Sequence, residues 1–252
     1  MFIDRTPMFP PLPTKAWFAP LTLAAAATVT PLVAHADGQV VDRVYDPYVQ
    51  PLEKELEWRT SAIPGKDKTW GGEQIHHLGL GRSFSDRWFG EVYLIGARDS
   101  ERDLKLEAIE LEAKYQLTEQ GEYAADWGLL FELEHEREEN VWEAAATLIS
   151  SREWGRWTGT ANLSALYEWG DDFKNEWESE LRMQARYRWL PHFEPGVEFY
   201  AGQDYRGIGP IVRGEKKLPG ASKLMWEFGV IQGLTSDSPD QTIRLLLEYE
   251  FF

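Results

Sequence analysis

Apolar and polar residues alternate with a period of two over most of the chain beyond residue 52. In 176–190, Trp177, Leu181, Met183, Ala185, Tyr187 and Trp189 share one face, and Glu178, Glu180, Arg182, Gln184, Arg186 and Arg188 share the other. Stretch 156–169 repeats the arrangement, with Trp157, Ala161, Leu163, Ala165, Tyr167 and Trp169 set against Thr158, Thr160, Asn162, Ser164 and Glu168. Such alternation marks strands with two unlike environments. In 124–136, Trp127, Leu129, Phe131 and Leu133 oppose Glu132, Glu134 and Glu136; in 104–117, Ile109, Leu111, Ala113 and Tyr115 oppose Glu110, Glu112, Lys114 and Gln116; in 222–232, Leu224, Trp226, Phe228 and Val230 oppose Met225, Glu227 and Gly229. Helical periodicity never lasts beyond two turns. The pattern predicts strands near 52–62, 74–84, 87–97, 104–117, 124–136, 140–151, 156–169, 176–190, 194–205, 208–218, 222–232 and 241–252. Alternation is weakest in 74–84, 87–97 and 208–218, so ten or fourteen strands remain alternatives. Most of these segments exceed the usual globular strand of about 5–6 residues and suit a tilted membrane strand of about 9–11.

The last twelve residues place Ile243, Leu245, Leu247, Tyr249 and Phe251 on one side and Arg244, Leu246, Glu248 and Glu250 on the other. The chain stops on Phe252. This ending resembles the closing strand of Gram-negative outer-membrane β-barrels, in which a terminal aromatic and apolar residues at every second position mark the chain for insertion. Here the apolar pattern counts back from Phe251, with Phe252 as one extra residue. The resemblance implies an all-β fold, a closed antiparallel up-and-down transmembrane β-barrel of about twelve strands. It also implies an outer-membrane location among lipid and lipopolysaccharide, and contact of the C-terminal strand with the barrel-assembly machinery. An even strand number places both termini on the periplasmic side. The alternative reading of this stretch is an amphipathic edge strand of a soluble sandwich.

Aromatics at the strand ends with aliphatics between them favour the membrane, because Trp and Tyr prefer the interface and aliphatics the hydrocarbon. Trp127, Trp157, Tyr167, Trp169, Trp177, Tyr187, Trp189, Trp226, Tyr249 and Phe251 are the expected lipid-interface set. A cationic side chain on the lipid face at mid-bilayer costs about 2–4 kcal/mol, and these strands carry several charges each. The apolar faces must therefore point outward and the charged faces inward, the reverse of a soluble barrel.

At the start of the chain, Arg5 and Lys15 precede an apolar run from Ala16 to Val33, and Ala34-His35-Ala36 fits a small-x-small cleavage site. Residues 1–36 read as a signal peptide, 37–51 as a periplasmic N-terminal leader and 52–252 as the barrel; a disordered arm is the alternative for 1–36. Residues 1–36 contain Asp4, Arg5 and Lys15, so the chain beyond them carries a formal charge of −17, against −16 for the whole. That balance argues against a nucleic-acid partner, which needs a basic patch. The chain has no Cys, which removes disulfides and thiolate metal sites.

The expected inner wall carries Glu55, Glu57, Glu110, Glu112, Glu132, Glu134, Glu178, Glu180, Glu198, Glu227, Glu248 and Glu250, against Arg59, Lys114, Arg182, Arg186, Arg188 and Arg244. This segregation resembles the opposed walls of small solute channels and favours a passive channel with an acidic, cation-favouring lumen. A structural or partner-binding barrel, closed by Glu–Arg pairing, is the alternative. A third reading is an outer-membrane hydrolase using a rim histidine. His76-His77 begins one strand and His135 lies between Glu134 and Glu136, but neighbours in a strand face opposite ways and no serine-centred motif is nearby. The pattern implies no cofactor, catalytic residue or metal ligand. For the leader, Val40 to Val49, the choices are a simple tether, which is favoured, a seat in the lumen mouth, or a contact with a periplasmic partner.

Overall fold

The structure is a computed structural model that describes residues 40–64, 72–98, 103–171 and 174–252. The expected signal peptide lies outside the described residues. Twelve strands follow one another as β1 (Lys54–Ala62), β2 (Gln74–Ser83), β3 (Trp88–Arg98), β4 (Lys105–Gln116), β5 (Asp126–Glu136), β6 (Val141–Trp154), β7 (Trp157–Gly170), β8 (Glu176–Tyr187), β9 (Glu194–Ala201), β10 (Arg206–Leu218), β11 (Ser222–Gly233) and β12 (Gln241–Phe251). Each pairs antiparallel with its sequence neighbours, and β12 pairs with β1 to close the barrel. Closure leaves no unpaired edge. Among the described residues, no helix is long and apolar enough to cross a membrane.

The side chains sort as the energy argument requires. In β8, Glu180, Gln184 and Arg186 are buried, whereas Trp177, Met183 and Ala185 are exposed. In β7, Thr158, Thr160, Asn162 and Ser164 are buried, with Leu163 and Ala165 exposed. In β12, Arg244, Glu248 and Glu250 face inward. The outer wall holds Leu56, Leu78, Leu80, Leu94, Leu111, Phe131, Leu148, Leu163 and Phe228.

The barrel has two unlike ends. At one, called here the turn end, compact connections lead from β2 to β3, β4 to β5, β6 to β7, β8 to β9 and β10 to β11. Gly155 and Gly220 take φ of +65° and +80° in two of these turns, a conformation that glycine adopts without the Cβ clash. Lys54 and Phe251 also lie there. At the other, the loop end, lie the remaining connections. Aromatic pairs ring both: Trp157–Tyr187, Trp88–Tyr115 and Tyr249–Phe251 at the turn end, and Trp142–Trp169 and Tyr167–Trp177 at the loop end.

The alternation-poor strands have local reasons. In β2, Gly79 and Gly81 replace side chains on the inner wall; a Cβ on either would run into the rings of Tyr93 or Phe89. In β10, Pro210 cannot donate to a neighbouring strand, and the ladder to β11 skips from Ile208 to Ile211.

Residues 40–51 do not form a tether below the barrel. They run through its interior. Val40 packs against Gly202 at the loop end, and Val49 donates its N–H to the Gln116 side chain at the turn end, 2.8 Å away. Twelve extended residues reach up to about 40 Å, enough to cross a hydrocarbon layer of about 30 Å. The strand ends share a side, as an even number demands, but the leader carries Val40 to the mouth opposite Phe252.

Candidate functional site: the occupied lumen

The leader presents charges of alternating sign, and the wall answers each with the opposite sign. Asp42 lies 3.1 Å from Arg59 Nε and 3.5 Å from Arg182 Nη1, and its carbonyl accepts a hydrogen bond from the Tyr200 hydroxyl at 2.7 Å. Arg43 donates to Glu248 Oε2 at 2.6 Å, to Glu55 Oε1 at 3.3 Å and to Glu57. Asp46 accepts from Arg213 at 2.8 Å, Arg186 at 3.3 Å and Thr160 at 3.2 Å.

Between these anchors, Asn162 Oδ1 accepts the Tyr45 N–H at 2.7 Å and Asn162 Nδ2 donates to the Tyr45 carbonyl at 3.0 Å. The Tyr45 hydroxyl donates to Glu112 at 2.5 Å and accepts from Arg59 at 2.7 Å. Apolar leader residues fill the gaps: Val41 and Val44 pack with Tyr200, Ile211 and Ile231, and Tyr45 with Leu130 and Ile149. A backbone polar group buried here without a partner would be costly; hydroxyl and carboxamide groups of the wall meet the leader's.

The inner wall itself is divided. Register places two rows of acids side by side across neighbouring strands. One runs Glu248, Glu57, Gly79, Tyr93, Glu110, Glu134, Glu143, Glu168, Glu176 from β12 round to β8. The other runs Glu250, Glu55, Gly81, Glu91, Glu112, Glu132 from β12 round to β5. The first row ends on Glu176, the first residue of β8, at the loop mouth. Arg182, Arg186, Arg213 and Arg244 stand on β8, β10 and β12. Arg244 is locked between Glu198 at 2.6 Å and Glu227 at 2.6 Å, and Glu198 also accepts from Gln184 and Tyr200 at 2.7 Å each.

Of the residues expected on the inner wall, Glu55, Glu57, Glu110, Glu112, Glu180, Arg186, Glu198, Glu227, Arg244, Glu248 and Glu250 are buried in the lumen. Glu132, Glu134 and Glu178 are half-buried on the inner wall, as is Arg182, which pairs with Glu180 at 2.6 Å. Lys114 lies near the turn end over the Phe89 ring. Arg188 lies past the end of β8 at the turn-end rim, paired with Glu153 at 2.9 Å. Arg188 lines a cavity of about 260 Å³ together with Asp46, Tyr48, Arg186, Glu194 and Arg213. Trp127, Trp157, Trp177, Trp189 and Tyr249 are exposed on the outer surface. Tyr167, Trp169, Tyr187, Trp226 and Phe251 are half-covered by neighbours.

The histidines part as strand geometry demands: His76 stacks on Trp58, and His77 turns inward beside Tyr93. His135 stacks on Trp142 and meets Asn140 at 3.0 Å at the loop-end rim.

Wall residues missing from the sequence expectation include Glu91, Tyr93, Tyr200 and Arg213, on strands with poor alternation or few charges, and Glu143 and Glu176 near the loop end of β6 and β8. The leader residues Asp42, Arg43, Tyr45 and Asp46 were missing too. Their signal was present in the sequence, as a short apolar run that carries charges of both signs.

No protein-family model matches the chain, and no curated protein matches it. Solved structures do. The COG4313 outer membrane channel from Pseudomonas putida F1 aligns with TM-score 0.54 at 15% identity, over 84% of this chain and 99% of that one. The KdgM porin in complex with disordered oligogalacturonate aligns with TM-score 0.52 at 12% identity, over 79% and 98%. The NanC porin aligns with TM-score 0.52 at 9% identity, over 78% and 99%. The chain is thus a closed twelve-stranded barrel of the outer-membrane porin fold.

Proposed function

We propose that this protein is an integral outer-membrane channel for small cationic solutes, with a lumen narrowed by its own leader. The observation that carries the reading is the row of carboxylates from Glu57 through Glu110, Glu134 and Glu143 to Glu176, which leads from mid-barrel to the loop mouth. A wall of one sign raises the local concentration of the opposite ion. The porin fold supports passage in general, and the apolar outer wall supports a lipid setting. In this reading the turn end faces the periplasm, β12 engages the assembly machinery, and the outer surface meets lipid and lipopolysaccharide.

The seat of the leader favours a second reading, a closed structural barrel, because Val41, Arg43, Val44 and Asp46 fill the lumen with apolar and ion-paired side chains. Planar-bilayer recording separates the two. The channel reading expects discrete conductance steps and a reversal potential shifted toward the potassium equilibrium potential in a KCl gradient. Absence of conductance from the folded protein would overturn it.

A further inference from the structure

The carboxylates around Arg43 are built by the wall, whereas the cation among them arrives on the leader. Glu55 and Glu57 come from β1 and Glu248 from β12, the two strands that meet at the closing seam. One oxygen from each lies within 4.8 Å of the others. A guanidinium presents donors in a planar fork that suits several carboxylates at once, and Arg43 uses it so. The Tyr93 hydroxyl supports the site from β3 by donating to Glu57 at 3.1 Å.

A separate observation concerns Glu91. It is only 7% exposed, and its Oε1 has no hydrogen-bond partner. Its side chain leans over the bare backbone of Gly79 and Gly81 on β2, toward β1. Buried polar atoms are seldom left unpaired, so this spare acceptor points to a site with more capacity for a cation than Arg43 uses. The carboxylate row that reaches the loop mouth begins at this same point, at Glu248 and Glu57.

We propose that Glu55, Glu57 and Glu248, backed by Glu91, form a binding site for alkylguanidinium cations that the chain's own Arg43 occupies at rest. Arg43 is a tethered occupant; a solute arriving along the acidic row competes with it for the same oxygens. As a statement of what the passage carries, this rests on the channel reading. As a statement of what the site binds, it does not.

The test is chemical rescue of full-length Arg43→Gln in detergent, with N-methylguanidinium chloride as the probe and NaCl at equal ionic strength as the control. The melting temperature of R43Q rises saturably with the probe, that of the parent protein does not, and in R43Q combined with Glu57→Gln the apparent affinity falls roughly tenfold or more. If R43Q does not fold unaided, its refolding yield from urea, read by heat-modifiable gel mobility, recovers with the probe and not with NaCl. No rescue, or equal response in all three proteins, overturns the site. The same proteins in planar bilayers keep the two readings apart: rescue without conductance removes the channel and keeps the site, and conductance without rescue does the reverse.

Discussion

Asn162 grips Tyr45 from both directions, its Oδ1 accepting the backbone N–H at 2.7 Å and its Nδ2 donating to the backbone carbonyl at 3.0 Å. One carboxamide thus supplies what a paired strand would give, midway along a segment that pairs with no strand. Asn162→Leu keeps the bulk and removes both bonds, leaving a buried donor and acceptor at a cost of about 1–3 kcal/mol each. The expected outcome is an intact barrel, by heat-modifiable mobility, whose leader becomes susceptible to limited proteolysis.

Asp46 joins Arg186 and Arg213 near the turn end. Asp46 and Arg213 each keep about a fifth of their side chains exposed, so removing one member of the group costs less than the ~3–5 kcal/mol of a fully buried one. Asp46→Ala should lower the thermal midpoint markedly. Asp46→Ala with Arg213→Met should recover part of the loss; a double mutant as unstable as the sum of both single changes would show that the two do not act together.

Leu163 sits in the middle of β7 on the outer face, 55% exposed and opposite Leu148 and Leu181 on the neighbouring strands. Leu163→Arg should reduce folded yield in lipid bilayers by about 2–4 kcal/mol in a folding titration. The neighbouring change Ser164→Ala, on the inner face, should leave bilayer folding within about 0.5 kcal/mol of the parent. Equal penalties at the two positions would contradict the inside-out arrangement.

Gly79 leaves room for the Tyr93 ring, which is fully buried and lies 4.3 Å beneath the Arg59 guanidinium. A methyl group there has to displace the ring. Gly79→Ala should destabilise by about 1–3 kcal/mol, read as a lower urea midpoint. Gly121→Ala serves as the comparison: a Cβ there meets nothing, and only the φ of +76° opposes it.

The strands were legible wherever one face met lipid and the other carried polar or charged side chains, as in β7, β8 and β12. Even the weakly patterned β2, β3 and β10 fell where the sequence expected them, because turn residues on both sides bounded them. The sense of the two faces followed from the cost of a charge in hydrocarbon. The leader was not legible. Period-two alternation arises from two contrasting surroundings, and residues 41–49 are buried or half-buried inside the barrel, so Val41, Arg43, Val44 and Asp46 follow no period. Glu91 and Arg213 escaped for a related reason: Gly90 and Gly214 stand beside them where an outward apolar residue would have marked the strand face.

The path of the leader also constrains how the molecule comes to be. A cylinder that has already shut can receive this spindle only by having a free chain end drawn lengthwise through its bore, whereas one wrapped about the spindle needs no such passage. A bulky folded cargo fused ahead of Val40 blocks the first route and leaves the second open, so the order in which seam and axis meet becomes a matter of whether such a fusion still yields a sealed barrel.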